Sequence, residues 1–553
     1  MGFVTEEKIK YALELQFGVK HINLKQARIP AEVLKLLPEP LLKQYQMIPV
    51  AVNQLTVALV DPNNILAIDE IRKRLKGVSV VPAVCTESDF WETLKTIPKE
   101  SAGAPAAAGA GAASASHLPE IPAATDAQLK ELLDKAAKAG GDAAMAPLVN
   151  AILSSAIKKR ASTIFVEPME NEVILRYRVD GHMLREPGIA AKLGQSIISR
   201  IKVMAGLAVT AGNTPMSGTF AFNFENRPVK IAFHSMPARH GQVMTIRIFD
   251  SAILAAQGLD NLVLNPRVAA AMRQLLQKPS GLMVFAGPRG AGKTILQYAC
   301  LKELKNQGAS IFTVEDPIQF DLDGITQVPV SAEPGANDMS VLAGLNSALM
   351  QSPQAVMVSD VSEPAIAQRM VKGALGGTLV LGGLTTTQGA LVEAKETWEV
   401  PVRLIANSIA GMVTQRLVRR LCPSCKETYK PDEKTAAYFA KLNGTGDLAR
   451  AKGCENCYQT GFSGQVGVYE VIPFTPPIRE LVARNAPKAH IDHLARQMGM
   501  LTLEDYAMWL VAQGHTTWDE IKKTDISDLA QSGQMSEATA TVPGAARQAQ
   551  PSA

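Results

Sequence analysis

The sequence predicts a multidomain α/β protein, and three observations support this fold class. The chain has 553 residues, and at roughly 150 residues per domain this length suggests about three or four units. Apolar runs of strand length alternate with helical patterns along most of the chain. Hydrophobic residues make up 47% and charged residues 20%, ordinary values for a folded protein. A single small binding module and a chain disordered throughout are therefore excluded.

The first 97 residues contain helical patterns and two apolar runs, MIPVAV and LTVALV, which predict a small α/β docking domain. Residues 98–142 are expected to form a linker, because SAGAPAAAGAGAASAS (101–116) is almost purely Ala, Gly and Ser. An Ala-rich helix is the alternative, but glycines and Pro105 weaken it. The linker then separates the docking domain from the rest of the chain.

Residues 143–250 begin with a helical pattern and continue in strand-like runs, which predict a middle domain with a helix packed on a mixed sheet. In residues 251–530, apolar runs such as GLMVFAG and AVMVSD alternate with helices. Such runs are typical of buried parallel strands in a nucleotide-binding core. Residues 531–553 carry few large apolar groups, and we expect a disordered tail.

A phosphate-binding loop is predicted where an apolar run meets a helical pattern. The segment fits G-x-x-x-x-G-K-[ST], in which backbone N–H groups surround phosphate oxygens and the lysine reaches the β- and γ-phosphates. The hydroxyl of Thr294 is expected to bind magnesium. The expected nucleotide-binding residues are Gly287, Pro288, Arg289, Gly290, Ala291, Gly292, Lys293 and Thr294. This pattern predicts ATP binding but not hydrolysis.

Four of the six cysteines form two C-x-x-C pairs separated by 28 residues: Cys422, Cys425, Cys454 and Cys457. This spacing predicts a zinc subdomain at 422–457, and the zinc is expected to be structural because thiolates fill all four positions. Cys85 and Cys300 are expected to be buried free thiols. The cysteine pattern also favours a reducing, cytoplasmic location.

Charge and hydropathy limit the partners. Lys+Arg 56 against Asp+Glu 52 leaves a formal charge of +4, too little for a general nucleic-acid surface. A zinc-ribbon nucleic-acid binder is further disfavoured because aromatic residues make up only 5%. No uncharged apolar run reaches about 18 residues, and the first residues lack the apolar core of a signal peptide. We therefore expect no nucleic-acid partner, no membrane span and no secretory signal.

Six segments together resemble the assembly ATPases of type II secretion systems and type IV pili. They are the phosphate loop, TVEDPIQF (313–320), NSALMQSPQAVMVSD (346–360), TLVLGGLTTT (378–387), QRLVRRLCPSC (415–425) and GCENCYQTGFSGQVGVYEV (453–471). The resemblance extends to RYRVDG (176–181) and KVMAGL (202–207) of the middle domain, to 499–521, and to the N-terminal stretch 38–71. It therefore covers nearly everything except the linker and the tail.

The resemblance implies a RecA-like P-loop ATPase domain preceded by a PAS-like middle domain. It also implies a hexameric ring under an inner-membrane platform protein, in which ATP-driven domain motion assembles pilin-like subunits. Two cysteine knuckles mark the assembly branch. Some members bind cyclic di-GMP through a motif beginning upstream of the segment matching residues 2–6, so we do not expect cyclic di-GMP binding here.

Several positions depart from the family's catalytic pattern. The family glutamate after the Walker B strand is Asp360, flanked by Ser359 and Ser362 in place of Gly and Arg. The family histidine is Thr385. A catalytic group placed about 1 Å wrong can cost on the order of a hundredfold in rate. The carboxylate of Asp360 is therefore expected to act in catalysis, but poorly.

The acidic segment and the middle-domain arginines are also altered. Glu315 and Asp316 match the family, and Glu315 is a second candidate catalytic residue, but the later glutamate is Gln319. Loss of that charge weakens a magnesium site. Two positions that hold arginines in the family are Ala232 and Val243, while Arg239 and Arg247 remain. Losing an arginine finger costs roughly a thousandfold or more.

Two readings of function remain open. Because the departures fall on catalysis and the loop is intact, we favour an ATP-binding subunit with impaired hydrolysis, a regulatory or structural partner of an active paralogue in a mixed or homomeric hexamer. The alternative is an active assembly motor in which Asp360 serves in place of the glutamate and Arg247 or Arg239 reaches the neighbouring subunit's nucleotide. The basic run with Arg416, Arg419 and Arg420 is expected to form a solvated face or intersubunit ion pairs, or else to bind a partner.

Overall fold

The computed structural model describes residues 22, 24, 42, 47–51, 55–60, 80–85, 89–91, 93, 118–139, 142–207, 214–251, 258–331, 339–361, 363–386, 389–443, 445–524 and 526. The chain divides into two compact units, Met1–Ala107 and Ala108–Ala553. Among the described residues, no helix combines the length and apolarity that a membrane crossing needs. The predicted tail, 531–553, lies outside the described residues.

The first unit contains a three-stranded sheet. Its strands are β1 (Met47–Ala51), β2 (Leu55–Leu59) and β3 (Val80–Val84). The pair β1–β2 is antiparallel and β2–β3 is parallel. Met47, Ile48 and Val57 are fully buried, so both apolar runs form strands as predicted. The helical pattern TEEKIKYALEL lies outside the described residues.

The helix α1 (Asp126–Ala139) corrects the predicted linker 98–142. Leu129 and Leu133 of α1 are buried in the core that also contains the next helix, α2 (Asp142–Lys158). The apolar spacing of LKELL provides one buried stripe on an otherwise charged helix. The prediction was wrong for α1 because it applied the Ala, Gly and Ser composition of 101–116 to the whole of 98–142. The other predicted domain limits stay predictions.

The described strands of the middle sheet all pair antiparallel, and this corrects the mixed sheet predicted there; a single parallel bridge joins Glu120 to Asn223 of the edge strand. Its order is β6-β5-β4-β10-β9-β8, with β7 beside β5. Its strands are β4 (Ala161–Pro168), β5 (Glu172–Val179), β6 (His182–Arg185), β7 (Ile189–Ala190), β8 (Met216–Phe224), β9 (Arg227–Ala238) and β10 (Gly241–Asp250). Buried residues alternate along β4 and β5, so one face packs on α2 and α3 (Gly194–Met204).

The C-terminal sheet has the predicted parallel strands. Its order is β13-β12-β14-β15-β11-β16-β19, and only the pair β16–β19 is antiparallel. The strands are β11 (Gly281–Gly287), β12 (Ile311–Glu315), β13 (Thr326–Pro329), β14 (Ala355–Val358), β15 (Leu379–Thr385), β16 (Ile409–Leu421) and β19 (Phe462–Pro473). Every residue of β11 and β14 is buried, because apolar clusters cover both faces of the sheet.

Helices and a two-stranded ribbon complete the C-terminal part. The helices are α4 (Leu259–Leu262), α5 (Pro266–Leu276), α6 (Lys293–Asn306), α7 (Val341–Met350), α8 (Pro364–Leu375), α9 (Ala390–Thr397), α10 (Val402–Ser408), α11 (Glu433–Asn443), α12 (Pro476–Ala483), α13 (Lys488–Gln497), α14 (Leu503–Ala512) and α15 (Trp518–Ile521). The ribbon pairs β17 (Glu427–Tyr429) with β18 (Leu448–Arg450), between the two cysteine pairs.

Candidate nucleotide and metal sites

The predicted phosphate loop connects the end of β11 to the start of α6. Gly292 has φ +84° and Gly290 has φ +79°, a left-handed backbone that favours glycine. A Cβ on Gly287 would lie 2.5 Å from the carbonyl oxygen of Gln415. The glycines of the motif are therefore required by the backbone, which curls in front of a helix N-terminus where N–H groups favour an anion.

Lys293 is the half-buried first residue of α6. Its Nζ donates to the carbonyl oxygens of Gly287 at 2.9 Å and Pro288 at 3.0 Å. Burial lowers the pKa of Lys293, the carboxylate of Asp360 opposes that shift, and nearby arginines reinforce it. The amine is thus held by neutral loop oxygens that a phosphate group can replace.

Asp360 and Thr385, which the sequence placed on separate segments, meet beside Lys293. The strands β14 and β15 are parallel neighbours, so their carboxyl ends lie at the same edge of the sheet. Lys293 Nζ donates to Thr385 Oγ1 at 3.3 Å, and Thr385 Oγ1 donates to Asp360 Oδ1 at 3.2 Å. Both Thr385 and Asp360 are exposed. The hydroxyl therefore links the loop lysine to the carboxylate at the position of the family glutamate.

Glu315, the second candidate catalytic residue, is buried with 0% exposure. Thr313 Oγ1 donates to it at 2.6 Å, Gln327 Nε2 donates at 3.1 Å, and the hydroxyl of Tyr298 donates to its other oxygen. Burial raises the pKa of Glu315, and these donors oppose the shift. This geometry favours a structural role, tying β12 to α6, while a catalytic role stays a prediction.

The remaining predicted site residues surround this edge of the sheet. Thr294 is half-buried next to Lys293, and Asp316 is exposed just beyond β12. In the middle sheet, exposed Arg247 lies opposite Ala232 in the pairing of β9 with β10. Ser362 lies outside the described residues. The magnesium role of Thr294 and the arginine-finger roles stay predictions.

The basic run on β16 holds a residue whose role the sequence analysis missed. Arg416 is close enough to lower the pKa of Lys293, which places its charge beside the phosphate loop. Arg419 instead pairs with Glu520 at 2.6 Å, and Arg420 is exposed. The three arginines therefore do not form one face, because Arg416 and Arg419 are three residues apart and point to opposite sides of the strand. The alternation of side chains along a strand was the sequence signal that could have separated Arg416 from Arg419.

The four cysteines of the predicted zinc subdomain come together, with all four Sγ atoms within 4.8 Å of one another. Three Sγ–Sγ distances are 3.9 Å (Cys422–Cys454), 3.8 Å (Cys425–Cys457) and 3.7 Å (Cys454–Cys457). Four thiolates about 2.3 Å from a tetrahedral zinc are roughly 3.8 Å apart. Cys454 N–H and Gly461 N–H donate to Cys457 Sγ, each at 3.2 Å. The residues present therefore fit a structural zinc ion.

Comparisons with known proteins agree with this architecture. A family described as type II/IV secretion system protein matches residues 138–523, and an MshEN domain matches residues 17–103. The chain is 31% identical over 530 residues to the type IV pilus assembly ATPase PilB of Myxococcus xanthus, covering 94% of this chain and 91% of that protein.

Two further relatives each match 69% of the chain. The chain is 34% identical over 383 residues to type II secretion system protein E of Pseudomonas aeruginosa, covering 69% of this chain and 75% of that protein. It is 33% identical over 386 residues to a putative type II secretion system protein E of Escherichia coli, covering 69% and 77%. The chain therefore belongs to the type II/IV secretion system protein family, and the resemblance predicted from its motifs is confirmed.

Proposed function

We propose that this chain is an ATP-binding subunit of a type IV pilus assembly or type II secretion machine, and that it hydrolyses ATP slowly. One observation carries the proposal: a complete phosphate loop lies beside strand ends where Asp360 stands at the position of the family glutamate, bonded to Thr385 at 3.2 Å. The loop holds phosphate through backbone groups and Lys293. The subunit would thus bind ATP but rarely cleave it.

Slow hydrolysis follows from what phosphoryl transfer requires. The chemistry depends on positioning and on charge stabilisation around the γ-phosphate. Asp360 is one methylene shorter than glutamate, and Thr385 supplies a hydroxyl where the family has an imidazole. Glu315 is enclosed by Tyr298 and two other donors. Each feature weakens catalysis while leaving the loop unchanged.

Two metals complete the proposal. The hydroxyl of Thr294 would hold magnesium, which neutralises phosphate charge when bound. The four cysteines would hold zinc, and with all coordination positions filled the ion would stabilise the fold only. Neither metal needs Glu315, whose oxygens already accept three hydrogen bonds.

The family suggests where such a subunit works. We expect a cytoplasmic location at the inner membrane, reached through a platform protein, and a hexameric ring that is homomeric or shared with an active paralogue. In that ring, bound ATP would fix the arrangement of a PAS-like middle domain and a RecA-like ATPase domain, which makes the subunit regulatory or structural. Nucleic acid is not an expected ligand.

An active assembly motor is the second candidate. It is favoured by the hydrogen-bonded series Lys293–Thr385–Asp360, which keeps a carboxylate near the place where the γ-phosphate would bind. In this reading Asp360 orients the attacking water and Arg247 serves a neighbouring subunit. It predicts magnesium-dependent turnover.

One experiment separates the two candidates. Zinc-loaded full-length protein is assayed for phosphate release with magnesium and ATP, and for equilibrium binding of a fluorescent ATP analogue. We expect saturable binding with only slow turnover, and loss of binding in Lys293→Ala. Wild-type turnover of about 1 per second or faster, the ordinary range of enzymes, that disappears in Lys293→Ala would instead support the motor and contradict impaired hydrolysis.

A further inference from the structure

The hairpin turn between β5 and β6 meets the segment that follows the last cysteine. Asp180 and Gly181 form this two-residue turn, with φ +49° and +85°, and their neighbours Val179 and His182 are paired. Two left-handed residues in a two-residue hairpin give a tight turn. The turn therefore projects the carboxylate of Asp180 from the end of the middle sheet.

The carboxylate of Asp180 is satisfied across this contact. Its Oδ2 accepts from the backbone N–H of Gly464 at 2.8 Å and from Arg160 Nη2 at 3.3 Å. Arg160 Nη1 also donates to Ser463 Oγ at 2.6 Å. Only 13% of the Asp180 side chain is exposed. Hydrogen bonds of this kind, with one charged partner, are about twice as strong as neutral ones.

The cysteine cluster positions the residues that receive this turn, here named the receiving segment (461–464). Gly461 donates its N–H to Cys457 Sγ at 3.2 Å, and its carbonyl oxygen accepts from the N–H of Cys422 at 3.0 Å. Phe462 lies under the guanidinium of Arg419, 4.0 Å from the ring centre. The backbone of the receiving segment is thus held from both cysteine pairs.

We infer that the cysteine segment is the docking surface for the middle domain, and that metal loading strengthens the docking through the receiving segment. The inference rests on the proposed zinc site. Without a metal, the four sulfurs, all within 4.8 Å of one another, have no common bond holding them together. The N–H of Gly464 then loses its fixed position relative to Asp180. By linkage, docking of Asp180 must in turn favour the metal-loaded segment.

The first test measures hydrogen–deuterium exchange in the full-length, zinc-loaded chain. We compare the wild type with Asp180→Gly, which removes the acceptor and accepts a positive φ, and with Asp180→Asn, which keeps the turn but removes the charge. We expect amide exchange in 172–185 and in 461–464 to be about fivefold faster or more in Asp180→Gly, the lower range of ordinary coupling, and less so in Asp180→Asn. Removing zinc from the wild type should have the same effect on 172–185.

The second test measures zinc affinity by equilibrium competition with a chromogenic chelator. Asp180→Gly should bind zinc about fivefold more weakly, or weaker still, than the wild type. The matched control is Arg185→Ala, which removes an ion pair with Glu172 (2.6 Å) from the same hairpin and should leave the affinity unchanged. An equal loss of affinity in the control would contradict the inference.

The two proposals fail in different ways. A purified chain that takes up no zinc overturns both the zinc assignment and the docking inference. A chain that holds one zinc ion, but whose zinc affinity and hairpin exchange do not respond to Asp180→Gly, overturns the docking alone.

Discussion

The phosphate loop and the strand ends that face it differ in how their sequences have changed. The loop retains every residue of its motif, and its shape depends on backbone constraints such as the Gln415 carbonyl oxygen, which would lie 2.5 Å from a Cβ at Gly287. The strand ends work through side chains, and there Asp360 and Thr385 replace the family's glutamate and histidine. Binding and chemistry therefore rest on separate parts of one site, and one can change without the other.

The largest expected effect comes from breaking the loop. Lys293→Ala removes the cation at the start of α6, and hydrogen bonds to charged groups contribute about 1.5–3 kcal/mol, so ATP affinity should fall roughly 10- to 150-fold. Titration with a fluorescent ATP analogue measures this. Lys305→Ala, an exposed lysine on the same helix, should bind as the wild type does, and an equal loss there would show that the effect is not local.

The second-largest expected effect comes from changing Asp360 and Thr385, at the ends of β14 and β15. Asp360→Glu restores the missing methylene, and because small displacements of a catalytic group change rates strongly, phosphate release should rise about tenfold. Thr385→His added to it should raise the rate further. ATP affinity should stay unchanged in both variants. Asp360→Asn is the matched control, and a rise there would contradict a role for the carboxylate.

A third prediction concerns Glu315, the buried carboxylate, and tests its structural role separately from catalysis. Burial raises the pKa of Glu315 above its ordinary 4.5. As the pH rises, the carboxyl group of Glu315 therefore loses its proton in the unfolded chain before it does so in the folded chain. The wild type should then lose stability relative to Glu315→Gln by about 1.4 kcal/mol for each unit between the two pKa values. Denaturant unfolding at several pH values measures the difference. A difference that does not vary with pH would contradict the raised pKa.

The smallest expected effect concerns magnesium binding. Gln319→Glu restores an acidic side chain near the site, and charge interactions at such half-exposed positions contribute a few tenths of a kcal/mol, so the magnesium concentration needed for nucleotide binding should fall about twofold. Gln351→Glu, at the exposed end of α7 before β14, is the control. An equal change in the control would indicate a general effect of charge.

The sequence was most informative where the spacing of residues in a motif determines the local structure that they form. The phosphate loop and the four cysteines could be predicted because a turn and a tetrahedral site require particular residues at particular intervals. The hydrogen bond between Tyr298 and Glu315 could not be predicted, because residues far apart on α6 and β12 meet only when the sheet forms. The helix α1 was missed because its buried stripe is short and follows a low-complexity stretch.

The strand β16 connects the two candidate sites directly. Its second half, from Gln415 behind the phosphate loop to Leu421 just before the first cysteine, pairs with β19, with one irregularity between Arg419 and Leu421. The seven residue steps from Gln415 to Cys422 span about 23 Å at 3.3 Å per residue. Because a strand is nearly fully extended, this segment sets an upper limit to the separation of the two sites along the chain.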